Sequence, residues 1–244
     1  MTSKIKRTQT GIKGFDSIID GGLPKNSITL VSGAPGTGKS IFAMDFAFKG
    51  ASKFNETTVY VSFEQPMQDI KEQAAQFGWD FDKYEKNKKL HLLSIPVDGI
   101  HKETLSMITE FIKKYNAKRL VIDSLSTLSI AAPYYLNIAK ENSDSTTITK
   151  FFIYKFIDEL RLLNCTCMLV GELKYDTWLN NDTIAEFVVD NVVVLKYFGA
   201  KGASSRTLAI KKARKTKFNE NIHPISITKK GIQIEKVNKV AMKF

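Results

Sequence analysis

Gly33-Ala34-Pro35-Gly36-Thr37-Gly38-Lys39-Ser40 reads G-x-x-x-x-G-K-S, the pattern of a phosphate-binding loop. Each residue type has a physical job. Glycines let successive backbone N–H groups turn inward around phosphate oxygens. Lys39 brings a compact positive charge to β- and γ-phosphates. Ser40 brings a hydroxyl to Mg²⁺. With Ile41 it also opens a helix whose positive end faces the same phosphates.

Such a loop belongs between a buried strand and a helix. Upstream, Ile28-Thr29-Leu30-Val31 is a short β-branched run, and downstream Ile41–Phe48 is apolar and helix-competent. Further out, apolar strands alternate with helical patterns. Strands are predicted at 27–32, 57–62, 90–93, 119–122 and 166–170, and helices at 40–53, 67–77, 102–115 and 149–163. In the last helix Phe152, Phe156, Leu160 and Leu163 share one face, which reads as core. Alternation of this kind predicts an α/β fold with a mostly parallel sheet and helices on both faces. From about residue 186 the pattern changes to consecutive strands at 186–198, 205–213, 224–228 and 232–237, with a turn at Lys229-Lys230-Gly231. This predicts an antiparallel, basic extension of the same sheet over about 186–237. The expectation is one domain over 1–244, with 1–9 as a short arm. Two stretches, Ala131–Thr147 and Leu173–Ala185, follow core strands at the end where such sheets bind ligands.

Composition narrows the class. No apolar run reaches the roughly 18 to 20 residues that span a bilayer, and Met1–Arg7 carries no apolar leader. Cys165 and Cys167 have neither zinc nor redox spacing. These features predict a cytoplasmic protein with reduced, buried thiols and no membrane role. The net charge is +11, and it is concentrated. From Lys201 onward there are 12 Lys or Arg against Glu220 and Glu235, whereas residues 1–200 are nearly neutral. Such asymmetry suits an anionic partner or a solvated basic face.

Phosphoryl transfer to water needs a metal, a group that activates the water, and positive charge for the transition state. Leu120-Val121-Ile122-Asp123 is an apolar strand ending in a carboxylate suited to the Mg²⁺ shell. Tyr60-Val61-Ser62-Phe63-Glu64 ends another, and Glu64 is the candidate general base.

Read in order, Thr10–Asp16, Gly21-Gly22-Leu23-Pro24, Gly33–Ser40, Phe63-Glu64, Leu120–Ser124 and Asp190–Leu195 resemble the KaiC-like branch of the RecA-superfamily ATPases. Within it, the chain resembles the single-domain archaeal members, including the RadA paralogues often called RadC. The resemblance covers about residues 8–236. It implies a RecA-type P-loop NTPase core that binds ATP and Mg²⁺ and assembles as a ring, such as a hexamer, or as a filament, with ATP between subunits. It places the catalytic glutamate on Glu64, where Gln65 replaces a second glutamate found in many members. It places a Lys-x-Arg pair that reaches the neighbour's γ-phosphate on Lys212 and Arg214, with a nucleotide-proximal threonine on Thr216. The family's next histidine is Phe218 here. The recombinase's N-terminal DNA-binding domain and polymerisation motif, and the clock protein's second domain, have no counterpart in this sequence.

The leading expectation is an ATPase acting as an accessory or regulatory factor in DNA recombination and repair, with single-stranded DNA or a RadA-type recombinase as partner. Tyr134, Tyr135, Tyr175 and Trp178 would stack on bases or pack within their loops. The alternative is an ATP-controlled protein-interaction module with slow hydrolysis. A kinase fits less well, because no lid pattern is present.

Overall fold

The computed structural model describes residues 5–101, 103–130, 132, 145–172, 184–200, 203–235 and 237. In chain order the elements are β1 (Arg7–Thr8), α1 (Phe15–Ile18), β2 (Leu23–Pro24), β3 (Ile28–Gly33), α2 (Lys39–Ser52), β4 (Thr58–Ser62), α3 (Met67–Ala75), α4 (Phe81–Lys86), β5 (Leu90–Ser94), α5 (Thr104–Lys114), β6 (Arg119–Asp123), α6 (Leu125–Ile130), α7 (Ser145–Arg161), β7 (Thr166–Glu172), α8 (Ile184–Val188), β8 (Asn191–Ala200), β9 (Ala203–Ala213), β10 (His223–Thr228) and β11 (Gly231–Ile234). The predicted parallel strands and long helices are all present, with boundaries moved by a few residues.

Among the described residues nine strands form one sheet in the order β11-β10-β9-β8-β3-β7-β6-β4-β5. The six from β8 to β5 run parallel, and β9, β10 and β11 add on antiparallel. β3 is buried along its whole length because both faces are covered. Leu30 points into a core formed with α5, α6 and α7; its neighbour Val31 points into the other, formed with α1, α2 and α3. The two thiols are buried and free.

One boundary corrects the sequence reading. Residues 186–188 are helical, in α8, and the strand begins only at Asn191. β8 itself is parallel to β3, so the antiparallel extension starts one strand later than expected. The cause is tertiary. Arg161 donates to the Val188 carbonyl, and the Lys212 ammonium donates to the carbonyls of Glu186 at 2.9 Å, Phe187 at 2.8 Å and Val189 at 2.8 Å. Two cations at a helix C-terminus overcome the strand preference of Phe187-Val188-Val189. The stretches 133–144 and 173–183, which carry Tyr134, Tyr135, Tyr175 and Trp178, lie outside the described residues.

The β10–β11 hairpin lies on α2, which begins at the phosphate loop. The turn Lys229-Lys230 is followed by Gly231 at φ 97°, and a Cβ there would lie 2.5 Å from the Asp45 carboxylate and 2.6 Å from Trp79. Asp45 is buried on α2, with the Ile232 backbone N–H donating to it and Lys49 no closer than 4.0 Å. Burial therefore raises its carboxyl from 3.8 to about 7, with Lys49 opposing. The folded state keeps a proton here that the unfolded chain has lost, so stability falls as pH rises from about 4 to about 7. Asp45→Asn, neutral at every pH, removes this loss. Urea unfolding is expected to find the variant more stable than the parent at pH 8, by up to roughly 4 kcal/mol, and no such gain at pH 4. An equal difference at both pH values would contradict the reading.

Candidate nucleotide site

Register brings the strand ends into one row. Gly33 of β3 lies beside Leu195 of β8 and Glu172 of β7, and Asp123 of β6 lies beside Ser62 of β4. Loops leaving that row converge at the carboxyl ends of the strands, where open α/β sheets bind ligands.

The loop from Gly33 to Ser40 needs each of its glycines. Gly36 and Gly38 sit at φ 77° and 103°, a region L side chains rarely adopt. A Cβ on Gly33 would lie 2.4 Å from the Leu195 carbonyl oxygen and 2.8 Å from the Thr37 hydroxyl. Ala34 is buried and accepts the Thr37 hydroxyl at 2.8 Å, while Pro35 and Gly36 form the exposed tip. The Lys39 ammonium donates to the carbonyls of Gly33 at 2.9 Å and Ala34 at 3.1 Å, so it rests on the loop itself. Burial pulls its pKa below the usual lysine value, and Glu172, Asp123 and Glu64 oppose the shift.

Asp123 is buried at the end of β6. Tyr60 donates to its Oδ2 at 2.6 Å, and the Ser40 hydroxyl donates to the same carboxylate. Burial pushes the Asp123 carboxyl up, and these two donors oppose it. The Tyr60 phenol is itself held well above its usual pKa, by burial first and then by Asp123, so it stays a donor. Glu64 is exposed just past β4, and its Oε1 accepts from Ser124 and, at 2.6 Å, from Thr127. A glycine cradle, an ammonium on its rim and a hydroxyl–carboxylate pair beside it fit a magnesium nucleoside triphosphate. The loop N–H groups and Lys39 would take the phosphates, and Ser40 with Asp123 could hold the metal.

Three residues at this site carry no sequence motif. Tyr197 of β8 donates to the Gly36 carbonyl at 2.6 Å. Arg206 of β9 packs 5.1 Å from the Tyr197 ring and donates to the Tyr197 oxygen at 3.0 Å, with Gly36 O at 3.4 Å. Glu172 ends β7 beside Gly33. The pairing of Tyr197 with Arg206 across the β8–β9 hairpin was the signal available, and it needs the register to be known.

Lys212, Arg214 and Thr216 are elsewhere. On β9, Leu208 pairs with Leu195 beside the loop, but Lys212 pairs with Val192, roughly 13 Å further along the strand. Arg214 donates to the Phe187 carbonyl at 3.1 Å and lies 3.8 Å from Asp190; Thr216 accepts from Arg7 at 3.1 Å. All three stand at the amino ends of the parallel strands, away from their own phosphate loop.

A parallel sheet with a phosphate loop after its central strand, and carboxylates at the ends of neighbouring strands, defines an ATP-binding, RecA-type P-loop ATPase core. The chain belongs to the KaiC ATPase family: residues 8–239 match the family described as "ATPase: KaiC". It is 32% identical over 240 residues to the circadian clock oscillator protein KaiC of Synechococcus elongatus, covering 94% of this chain and 44% of the relative. The chain thus spans less than half of that relative's length. It is 31% identical to the UPF0273 protein MJ1359 of Methanocaldococcus jannaschii, covering 93% of this chain and 96% of the relative. The crystal structure of the KaiC-like protein PH0186 from Pyrococcus horikoshii superposes with a TM-score of 0.82 at 32% identity, over 96% of this chain and all of that one. These relatives define the family and not the RadC branch within it. Among the described residues no helix is long and apolar enough to cross a membrane.

Proposed function

We propose that this protein is a Mg²⁺-dependent ATPase that hydrolyses ATP between copies of itself. The observation that carries the reading is the placement of Lys212 and Arg214 at the end of the sheet opposite their own phosphate loop. Cations so placed can meet a γ-phosphate only on another copy, in a head-to-tail contact that closes as a ring or extends as a filament. Bound Mg²⁺ would neutralise charge on the β- and γ-phosphate oxygens. Lys39 and the loop N–H groups hold the phosphates in place. Glu64, at the edge of the row, takes the proton of the attacking water. Arg214 of the adjoining copy, with Thr216 close by, faces the charge that develops on the transferred group; Lys212 beside it would have to release the α8 carbonyls to join. Removing the base tests this directly. Glu64→Gln is expected to bind ATP with unchanged affinity and to lose hydrolysis by about 10²- to 10⁴-fold; retained turnover would exclude Glu64 as the base.

For the effector we propose single-stranded DNA, in an accessory role in recombination and repair in the cytoplasm. Support comes from Lys215, Lys217, Lys229 and Lys230, which all face solvent. A second reading, an ATP-controlled protein-interaction module, draws on a different observation. The neighbouring cations are engaged within the chain: Lys211 pairs with Glu186 at 2.7 Å, and Lys212 and Arg214 hold the end of α8. Phe151 and Phe187 are meanwhile more than half exposed. Turnover measured with and without single-stranded DNA separates the two. Stimulation that fades as salt rises supports DNA, because phosphate contacts release counterions. No effect at low salt supports the protein partner.

A further inference from the structure

We infer that Thr127 is a positioning residue for the base: with Ser124 it fixes the Glu64 carboxylate so that Oε2, not Oε1, meets the attacking water. The inference rests on the reading of Glu64 as the base. Glu64 is a long, exposed side chain at the start of a loop, and such a group explores many rotamers unless something holds it. Here one oxygen is held twice, by the Ser124 hydroxyl and by the Thr127 hydroxyl at 2.6 Å.

The two donors come from one rigid place. Ser124 directly follows Asp123, and its Oγ accepts the Thr127 backbone N–H at 3.2 Å, closing the first turn of α6. The two hydroxyls are themselves 3.0 Å apart. Between them, Ser126 accepts the Glu172 backbone N–H at 2.9 Å, and Glu172 is the neighbour of Gly33 in the sheet. One helical turn therefore joins the ends of β4, β6 and β7, and through β7 the start of the phosphate loop. With Oε1 saturated by two donors, proton transfer is left to Oε2, in a fixed direction. Catalytic groups tolerate displacements of only about 0.5 Å before rate is lost.

Ser124 is a poor probe, since removing it also opens the turn. The Thr127 hydroxyl is a better one, because its carboxylate acceptor is Glu64. Thr127→Val keeps the shape and removes the donor. It is expected to lower kcat about 10- to 100-fold, with the dissociation constant for a non-hydrolysable ATP analogue unchanged. Thr127→Ser keeps a hydroxyl and is expected to recover most of the loss. Wild-type turnover in Thr127→Val, a serine variant as slow as the valine one, or analogue affinity that falls in step with kcat would each overturn the positioning role. Glu64→Gln assayed alongside keeps the two readings apart. An inactive Glu64→Gln beside a fully active Thr127→Val removes only the positioning role. An active Glu64→Gln removes the base and its positioning together.

Discussion

Arg214→Ala is expected to lower the ATP turnover number about 10³- to 10⁵-fold, the range for removal of an arginine that stabilises a transferring phosphoryl group in trans. Nucleotide affinity should change far less, because the loop N–H groups and Lys39 of the other copy hold the phosphates, whereas Arg214 meets charge that develops only during transfer. Geometry makes a further demand. If base and arginine come from different copies, Arg214→Ala and Glu64→Gln each cripple every contact when pure. Mixed, they create some contacts with Glu64 on one side and Arg214 on the other. Turnover should therefore reappear in the mixture and pass through a maximum near equal proportions. A mixture as inactive as its components would place both groups in one copy's site and refute the head-to-tail arrangement. Arg214 is also half-exposed, and Lys212 keeps its own three bonds to the end of α8, so loss of Arg214 should leave the fold intact.

Arg119→Ala is expected to destabilise the fold by about 3–5 kcal/mol, with little direct effect on the nucleotide site. Arg119 opens β6 and is fully buried. Its guanidinium donates to Glu56 at 2.6 Å, to the Phe46 carbonyl at 3.1 Å and to the Gln9 carbonyl at 2.7 Å, and lies 4.6 Å and 4.9 Å from the rings of Phe46 and Phe54. Burial draws its pKa down, and Glu56 draws it back. Truncation leaves two carbonyls without their donor and a cavity between two aromatic rings. Gly50 of α2 forms one wall of that space: a Cβ there would lie 2.5 Å from the Arg119 side chain. A denaturant midpoint unchanged in Arg119→Ala would show that the network contributes nothing net.

Much of this was legible in the amino-acid order, and the remainder has a common cause. β3, β4 and β6 are short runs rich in β-branched residues and β7 is a mostly apolar one, all four are buried on both faces, and nothing distant is needed to recognise them. Gly33, Gly36 and Gly38 were readable because a backbone fold around phosphate admits no other residue there. Helix α8 was not, because three carbonyls of Glu186, Phe187 and Val189 are held by an ammonium 23 to 26 residues away. Tyr197 and Arg206 reach Gly36 across more than 160 positions, and Thr127 reaches Glu64 across 63. Each becomes visible only once strand register is known. The Lys-x-Arg pair was recognised by resemblance, and the sheet then shows which end of the molecule it occupies.

Arg119 also bears on how the chain can be handled. Its Gln9 contact ties a residue near the start of the chain to the base of β6. A clone trimmed to begin at residue 10 would keep every group proposed for the nucleotide site and still leave a buried guanidinium short of an acceptor. A protease cut between Gln9 and Gly11 should loosen the molecule from the end remote from the nucleotide site. Affinity tags placed at the amino end accordingly need a spacer that leaves Gln9 in its seat.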